Sequence, residues 1–268
     1  MSLKSFLPKR LKLFYHRVRW FAGNYETIDE YAKLDASFLY GPITYNTDGL
    51  VTCLNCDFIQ DTKFKTAYGA AAVTNPWPGF TLQWRVYVVC WFANQVKDLP
   101  GDFVECGVNT GAYAKAIIEY IDFNTLGKTF HLLDTFSGLV PELVSEEERQ
   151  AGLSKYLGQY KERDIYGEVM KTFRNDKVNI IRGIVPDTLS ECKTDRIAYL
   201  SIDMNCVEPE IAAAEYFYDK VVPGGVIILD DYGFPQHIFQ KRAFDEFASK
   251  KGIQILSLPT GQGIIIKK

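Results

Sequence analysis

A chain of 268 residues exceeds one ordinary domain of roughly 100–200 residues and falls short of two large ones, so one full domain with an extension is expected. Its 47% hydrophobic, 24% charged and 14% aromatic residues, with 20 Gly and 11 Pro, argue against disorder, collagen-like repeats and coiled coil. The formal charge of −3 conceals an asymmetry: residues 1–100 carry eleven Lys and Arg against eight Asp and Glu, leaving nineteen against twenty-five in residues 101–268. An acid-rich main part argues against nucleic acid as a partner, because phosphate contacts need a basic track.

The six cysteines, Cys53, Cys56, Cys90, Cys106, Cys192 and Cys206, are scattered through a chain large enough to fold without covalent staples. Cys53 and Cys56 form a C-x-x-C, yet no second pair follows to complete a four-ligand zinc site. No apolar run reaches the roughly 18 residues of a membrane span, and a cytoplasmic setting is the default expectation.

Along the chain, Leu11, Phe14, Tyr15, Val18 and Phe21 fall at helical spacing, with Lys12, Arg17 and Arg19 largely on other faces. Two readings of this basic stretch, residues 9–21, stand: weak peripheral contact with an anionic membrane, or a helix packed on its own domain with a solvated basic edge. The second is preferred, since one short segment binds membranes only marginally. Residues 24–80 are broken by turn signals at Gly41-Pro42, Thr47-Asp48-Gly49 and Asn75-Pro76-Trp77-Pro78-Gly79. The next stretch, 81–96, is apolar almost all round and reads as a buried helix.

Beyond Gly101, short apolar runs alternate with helical patterns, as in a parallel sheet covered on both faces. Strands are expected over Phe103–Cys106, Thr129–Asp134, Val178–Arg182, Ile197–Asp203 and Val226–Asp230, with helices over Ala112–Ile121, Glu162–Phe173, Glu208–Asp219 and Gln240–Lys251. Ile253–Leu258 and Gly263–Lys267 are joined by a hairpin-length loop and must be antiparallel. The expected architecture is therefore α/β, a mostly parallel Rossmann-like sheet with an antiparallel C-terminal hairpin. Residues 101–268 form that domain, and residues 1–100 a mainly helical cap that builds the acceptor-binding region.

Ligands of open α/β sheets bind beyond the carboxyl ends of the strands, which makes the polar residues there the ones to read. After the first strand, Gly107 and Gly111 let a ligand approach the backbone and helix N-terminal amides, without the full G-x-G-x-x-G fingerprint. Asp134 ends the second strand, where an acid can accept from both ribose hydroxyls; turn capping is the plainer alternative. Asp203 ends the fourth strand and Asp230-Asp231 the fifth. Three carboxylates on one rim repel unless a cation or protons neutralise them, and oxygen-only ligands suit Mg²⁺ or a similar hard ion. His237 follows this pair closely enough to serve as a general base.

These residues carry a resemblance. The stretches Pro100–Val108, Asp134–Leu139, Gly183 with Asp187-Thr188-Leu189, Leu200–Asp203, Pro223-Gly224-Gly225 and Asp230–Gly233, in that order, are similar to the macrocin O-methyltransferase family. The resemblance implies the class I methyltransferase fold, S-adenosyl-L-methionine as methyl donor and a divalent metal, with a sugar or glycosylated small molecule as acceptor. By it, Glu105, Gly107, Asn109, Thr110, Gly111, Thr135 and Phe136 belong to the cofactor site, Asp134 holds the ribose, and Gly183 and Ile184 lie near the adenine. Asp203, Asp230 and Asp231 then correspond to the metal ligands; Asp203 and, from its position alone, His237 are the catalytic candidates. Two departures concern the acceptor: Asp203-Met204-Asn205 replaces the Asp-x-Asp common in sugar-modifying members, and no histidine lies between Phe136 and Phe173.

The expected activity is thus Mg²⁺-assisted O-methylation. The rival readings are a nicotinamide-dependent oxidoreductase and a non-catalytic binding protein on a methyltransferase-like scaffold. Homo-oligomerisation stays open.

Overall fold

A computed structural model of the chain describes residues 43–77, 79–153 and 163–268. The basic helix expected over 11–21 and the start of the helix expected from Glu162 lie outside the described residues. The chain divides into two compact units, residues 1–46 with 51–56, and residues 47–50 with 57–268. In the smaller unit, Thr44 N–H donates to Thr52 O at 2.9 Å and its hydroxyl to Leu54 O at 2.5 Å. Two short paired strands, β1 (Tyr45–Thr47) and β2 (Leu50–Thr52), flank the turn at Asp48-Gly49.

The first α-helix of the larger unit is α1 (Thr62–Val73), an element the turn-rich reading of residues 24–80 does not foresee. Asp61 caps it, accepting from Phe64 N–H at 2.9 Å, and Phe64, Ala67 and Ala71 form its buried face. Small Ala side chains give little amphipathic contrast, which is why the pattern is faint in sequence. Helix α2 (Gln83–Val96) buries Val86, Val89, Cys90, Ala93 and Val96 along one stripe, whereas Trp91 is exposed; the expectation of burial all round is corrected to burial of one face.

The remaining elements follow the expected α/β order: β3 (Asp102–Cys106), α3 (Ala112–Ile121), β4 (Phe130–Asp134), a short α4 (Glu146–Gln150), α5 (Ile165–Thr172), β5 (Val178–Arg182), β6 (Ile197–Ile202), α6 (Val207–Tyr218), β7 (Val221–Leu229), α7 (Ile238–Lys251), β8 (Leu256–Ser257) and β9 (Gly263–Ile266). They build one seven-stranded sheet ordered β5-β4-β3-β6-β7-β9-β8. The first five strands are mutually parallel, and β9 runs antiparallel to both β7 and β8, as expected of the terminal hairpin. Strand β7 begins five residues earlier than its apolar run suggests, because Val221 pairs with Ile197 across a register shift.

Alternate strand residues face two cores. Phe103, Tyr199, Val226 and Ile228 pack with α1, α2 and α3 on one side; Val104, Leu200, Ile227 and Leu229 pack with α6 and α7 on the other. A ring cluster anchors the first core, with Phe103 centred 5.1 Å from both Phe123 and Tyr199. Chain order reverses at β3, which pairs with β4 on one side and β6 on the other, so the carboxyl ends of β3 and β6 border the crevice that this topology opens.

Candidate active site

A cavity of about 480 Å³ lies at that crevice, lined by residues from the ends of β3, β4, β5, β6 and β7 together with Asp48, Trp77, Phe80 and Arg85. Of the sequence-predicted site residues, Glu105, Gly107, Asn109, Thr110, Asp134, Thr135, Gly183, Ile184, Asp203, Asp230, Asp231 and His237 all line it. Gly111 and Phe136 do not. Gly111, at φ +83°, caps α3, and a Cβ there would lie 2.3 Å from the Phe173 ring, so its smallness serves helix packing. Phe136 is buried in the first core, 5.5 Å from Tyr166 between ring centres.

The turn after β3 is held by backbone geometry. Gly107 adopts φ +88°, and a Cβ on it would fall 1.7 Å from the carbonyl oxygen of Asp203. Only glycine lets the tips of β3 and β6 pass this closely. Asp134 closes the other side: its carboxylate accepts N–H bonds from Val108 at 2.6 Å, Asn109 at 2.8 Å and Phe136 at 2.6 Å. These bonds work against the burial that lifts its carboxyl above the usual range. Asp134 thus organises the loop in the way the turn-capping alternative describes, while still bordering the cavity. Thr110 hydrogen-bonds Thr74 at 2.9 Å, and Thr135 donates to Gly138 O at 2.9 Å. Two buried polar atoms in this wall, Glu105 Oε2 and Asn109 Oδ1, have no protein partner. Burial first, then the neighbouring Asp134 and Asp230 carboxylates, push the Glu105 carboxyl well above its ordinary value.

Beside this wall, one oxygen from each of Asp203, Asp230 and Asp231 lies within 4.8 Å of the others. Burial and the adjacent Asp230 and Asp231 charges raise the Asp203 carboxyl well above the carboxylate range; Asp231 is pushed up to about 6, chiefly by burial. The three acids have different partners. Asp203 accepts only from the Asn205 amide, at 3.1 Å. The amide that replaces the second acid of Asp-x-Asp therefore supports Asp203 and cannot itself accept a proton. Asp231 Oδ2 is buried with no hydrogen-bond partner, and the nearest cationic candidate, His237 Nε2, is 3.7 Å away. His237 is itself buried, its Nδ1 accepting from the Gln240 amide at 2.8 Å, which leaves the ring proton on Nε2 facing Asp231.

Asp230 is enclosed. It accepts from Arg85 at 2.5 Å, Tyr113 at 3.0 Å and Gln262 at 3.0 Å, and Arg85 in turn holds both oxygens of Asp48 at 2.8 and 2.9 Å. Burial works against the Arg85 charge, but Asp230, Tyr113 and Asp48 keep it firmly protonated. Burial also raises the Tyr113 hydroxyl well above its usual range, so it remains a donor. None of these four partners is evident from local sequence except Arg85, the only charged residue of α2.

Chemically, the arrangement offers a glycine-floored wall with unfilled polar atoms beside an anionic rim, in a cavity large enough for a small molecule. Residues 87–257 match the sequence model described as Macrocin-O-methyltransferase (TylF). The chain is 26% identical over 167 residues to mycinamicin III 3''-O-methyltransferase of Micromonospora griseorubida, covering 58% of this chain and 63% of that one. It is 29% identical over 166 residues to demethyldecarbamoylnovobiocin O-methyltransferase of Streptomyces niveus, covering 58% and 60%. It thus spans under two thirds of the length of these relatives. In fold it is similar to the O-methyltransferase NovP, with a TM-score of 0.63 at 22% identity over 80% of this chain and all of that one, and to the calicheamicin methyltransferase CalS11, with 0.57 at 19% over 75% and 91%. These likenesses bear out the expected Rossmann-like methyltransferase fold and give no support to the nicotinamide-dependent reading.

Proposed function

Because the chain belongs to the macrocin O-methyltransferase (TylF) family, we propose that it is an S-adenosylmethionine-dependent O-methyltransferase acting, with a divalent cation, on a hydroxyl of a sugar or glycosylated small molecule. The observation that carries this reading is the meeting of Gly107 and the Asp203–Asp230–Asp231 rim across one cavity. The names of relatives that methylate mycinamicin III, demethyldecarbamoylnovobiocin and a rhamnosyl-tetracenomycin support the acceptor class.

The residues suit both absent groups. A cradle that a Cβ at Gly107 would fill, and the unpartnered Glu105 and Asn109 oxygens, fit a polar nucleoside against the β3–α3 turn. An all-carboxylate donor set with an orphaned, buried Asp231 oxygen fits a hard cation such as Mg²⁺. S-adenosylmethionine brings an electrophilic methyl sulfonium, and the cation a Lewis acid that makes an alcohol easier to deprotonate.

The protein's part is placement and proton handling. Trp77, Phe80 and Phe234 line the cavity and supply apolar surface for the acceptor, which would orient its hydroxyl toward the Asp203–Asp231 edge. With the methyl donor bound, a carboxylate oxygen of Asp203 or Asp231 would take the proton of the acceptor hydroxyl. His237, the other catalytic candidate, has Nδ1 committed to Gln240 and its Nε2 proton turned to Asp231; it acts by steadying that carboxylate. Thermal-shift titration tests the donor site: S-adenosylhomocysteine raises the melting temperature and NAD does not. A methyl-transfer screen over glycosides with and without chelator tests the rest. Stabilisation by NAD, or full transfer with chelator, would overturn the reading.

A further inference from the structure

Arg85 breaks the symmetry of the acid rim. Its side chain is 12% exposed in an otherwise uncharged helix, and a guanidinium so placed is stable only when paired. Its pairing is bidentate to Asp48 and single to Asp230 Oδ2, while the other Asp230 oxygen receives Tyr113 and Gln262. Donors from α2, α3 and the β8–β9 loop thereby fix Asp230 from three sides. A carboxylate offers about four lone-pair sites, and three are occupied. The fourth lies on the oxygen that Arg85 already holds, so a metal drawn to it would share that atom with a buried cation, like charge against like. Among the described residues no arginine or lysine hydrogen-bonds Asp203 or Asp231: the first meets a neutral amide, and Asp231 Oδ2 has only the His237 ring, 3.7 Å away.

We propose that Arg85, clamped by Asp48, is a positioning residue that keeps Asp230 out of the metal's inner coordination shell, so that Asp203 and Asp231 alone are its direct protein ligands. The inference rests on the metal reading above and sharpens it. Arg85 is shared between the Asp48 and Asp230 carboxylates, so this second layer keeps one net negative charge beside the two carboxylates that balance a dication. A hard octahedral ion held by two carboxylates keeps roughly four positions for water and acceptor oxygens. Such a site suits an acceptor that offers neighbouring hydroxyls.

Mn²⁺ titration of the metal-free full chain, with free ion counted by electron paramagnetic resonance, separates the possibilities without any turnover. Asp203→Asn and Asp231→Asn are expected to weaken binding by more than about 100-fold, Asp230→Asn by only about tenfold, as for an outer-shell partner, and Arg85→Met to tighten it by about tenfold or more. Tightening is the decisive sign, because damage to the fold can only weaken the site. Asp230→Asn is nearly isosteric and decides the question by itself if Arg85→Met does not fold. Should Asp230→Asn weaken binding as much as Asp203→Asn, or folded Arg85→Met fail to tighten it, the role of Arg85 is refuted while the metal reading survives. Should neither the wild type nor Arg85→Met bind Mn²⁺, or should Asp203→Asn and Asp231→Asn be without effect, the metal reading fails and takes the Arg85 proposal with it.

Discussion

Replacing Gly107 with alanine puts the crossing of β3 and β6 to a quantitative test. The new Cβ would sit 1.7 Å from the Asp203 carbonyl oxygen and 2.4 Å from its carbonyl carbon. Those atoms cannot swing aside as a flexible side chain would, because Asp203 N–H is tied to Cys106 O at 2.8 Å as the two strands end. A left-handed backbone costs a non-glycine residue about 1 kcal/mol, and forced repacking of a tight interior about 1–3 kcal/mol. Together they amount to about 3 kcal/mol, which for a unit of this size lowers the melting temperature by about 6–12 °C. Gly252→Ala is the matched control: φ is +64° but nothing lies within 4 Å of the added carbon. It carries the backbone penalty alone, about 1 kcal/mol or about 2–4 °C. Thermal melts by circular dichroism read both. Gly107→Ala melting within about 2 °C of Gly252→Ala would show that the strand tips do not approach as described.

Other consequences are as direct. Asp134→Ala removes the acceptor of three backbone N–H groups and should cost about 2–4 kcal/mol by urea denaturation; a loss below about 1 kcal/mol would contradict its role as organiser of the loop. Asp231 has a raised folded-state pKa of about 6, so it binds more protons folded than unfolded. Its contribution to metal-free stability is fully present below the unfolded value near 3.8 and is lost as pH rises through about 6. Metal-free Asp231→Asn should therefore melt at or above the wild type at pH 7.5, and the difference should shrink or reverse at pH 5; a wild type that is the more stable at pH 7.5 would contradict this. His237→Asn should slow methyl transfer by about 10–100-fold while leaving Mn²⁺ binding within that of a second-layer change, and unaltered turnover would remove it from the site.

Much of this protein is legible in its sequence. The alternation of apolar runs with helical patterns is local, and it marks five parallel strands and a closing hairpin, because strands covered on both faces must be apolar throughout. Parallel strands also end on one side of the sheet, so Glu105, Asp134, Asp203 and Asp230-Asp231 could be assigned to one rim from position alone. Helix α1 escapes this logic because Ala67 and Ala71 mark a close-packed face without marking an apolar stripe.

What each rim residue does is another matter. The sequence could place Gly111 beside the β3–α3 turn, but only the approach of Phe173 shows that its missing side chain makes room for packing. Phe136, two residues beyond Asp134, turns into the core at φ +54°. The three rim acids look alike as letters, yet Arg85 reaches Asp230 across 145 residues of chain and Tyr113 across 117. Charge and hydrogen-bond state depend on atoms within a few ångströms, and the chain brings those atoms together only by folding. The type and order of the elements were therefore determined locally by hydrophobic pattern, whereas the division of labour among Asp203, Asp230 and Asp231 was decided by tertiary contacts that no local pattern encodes.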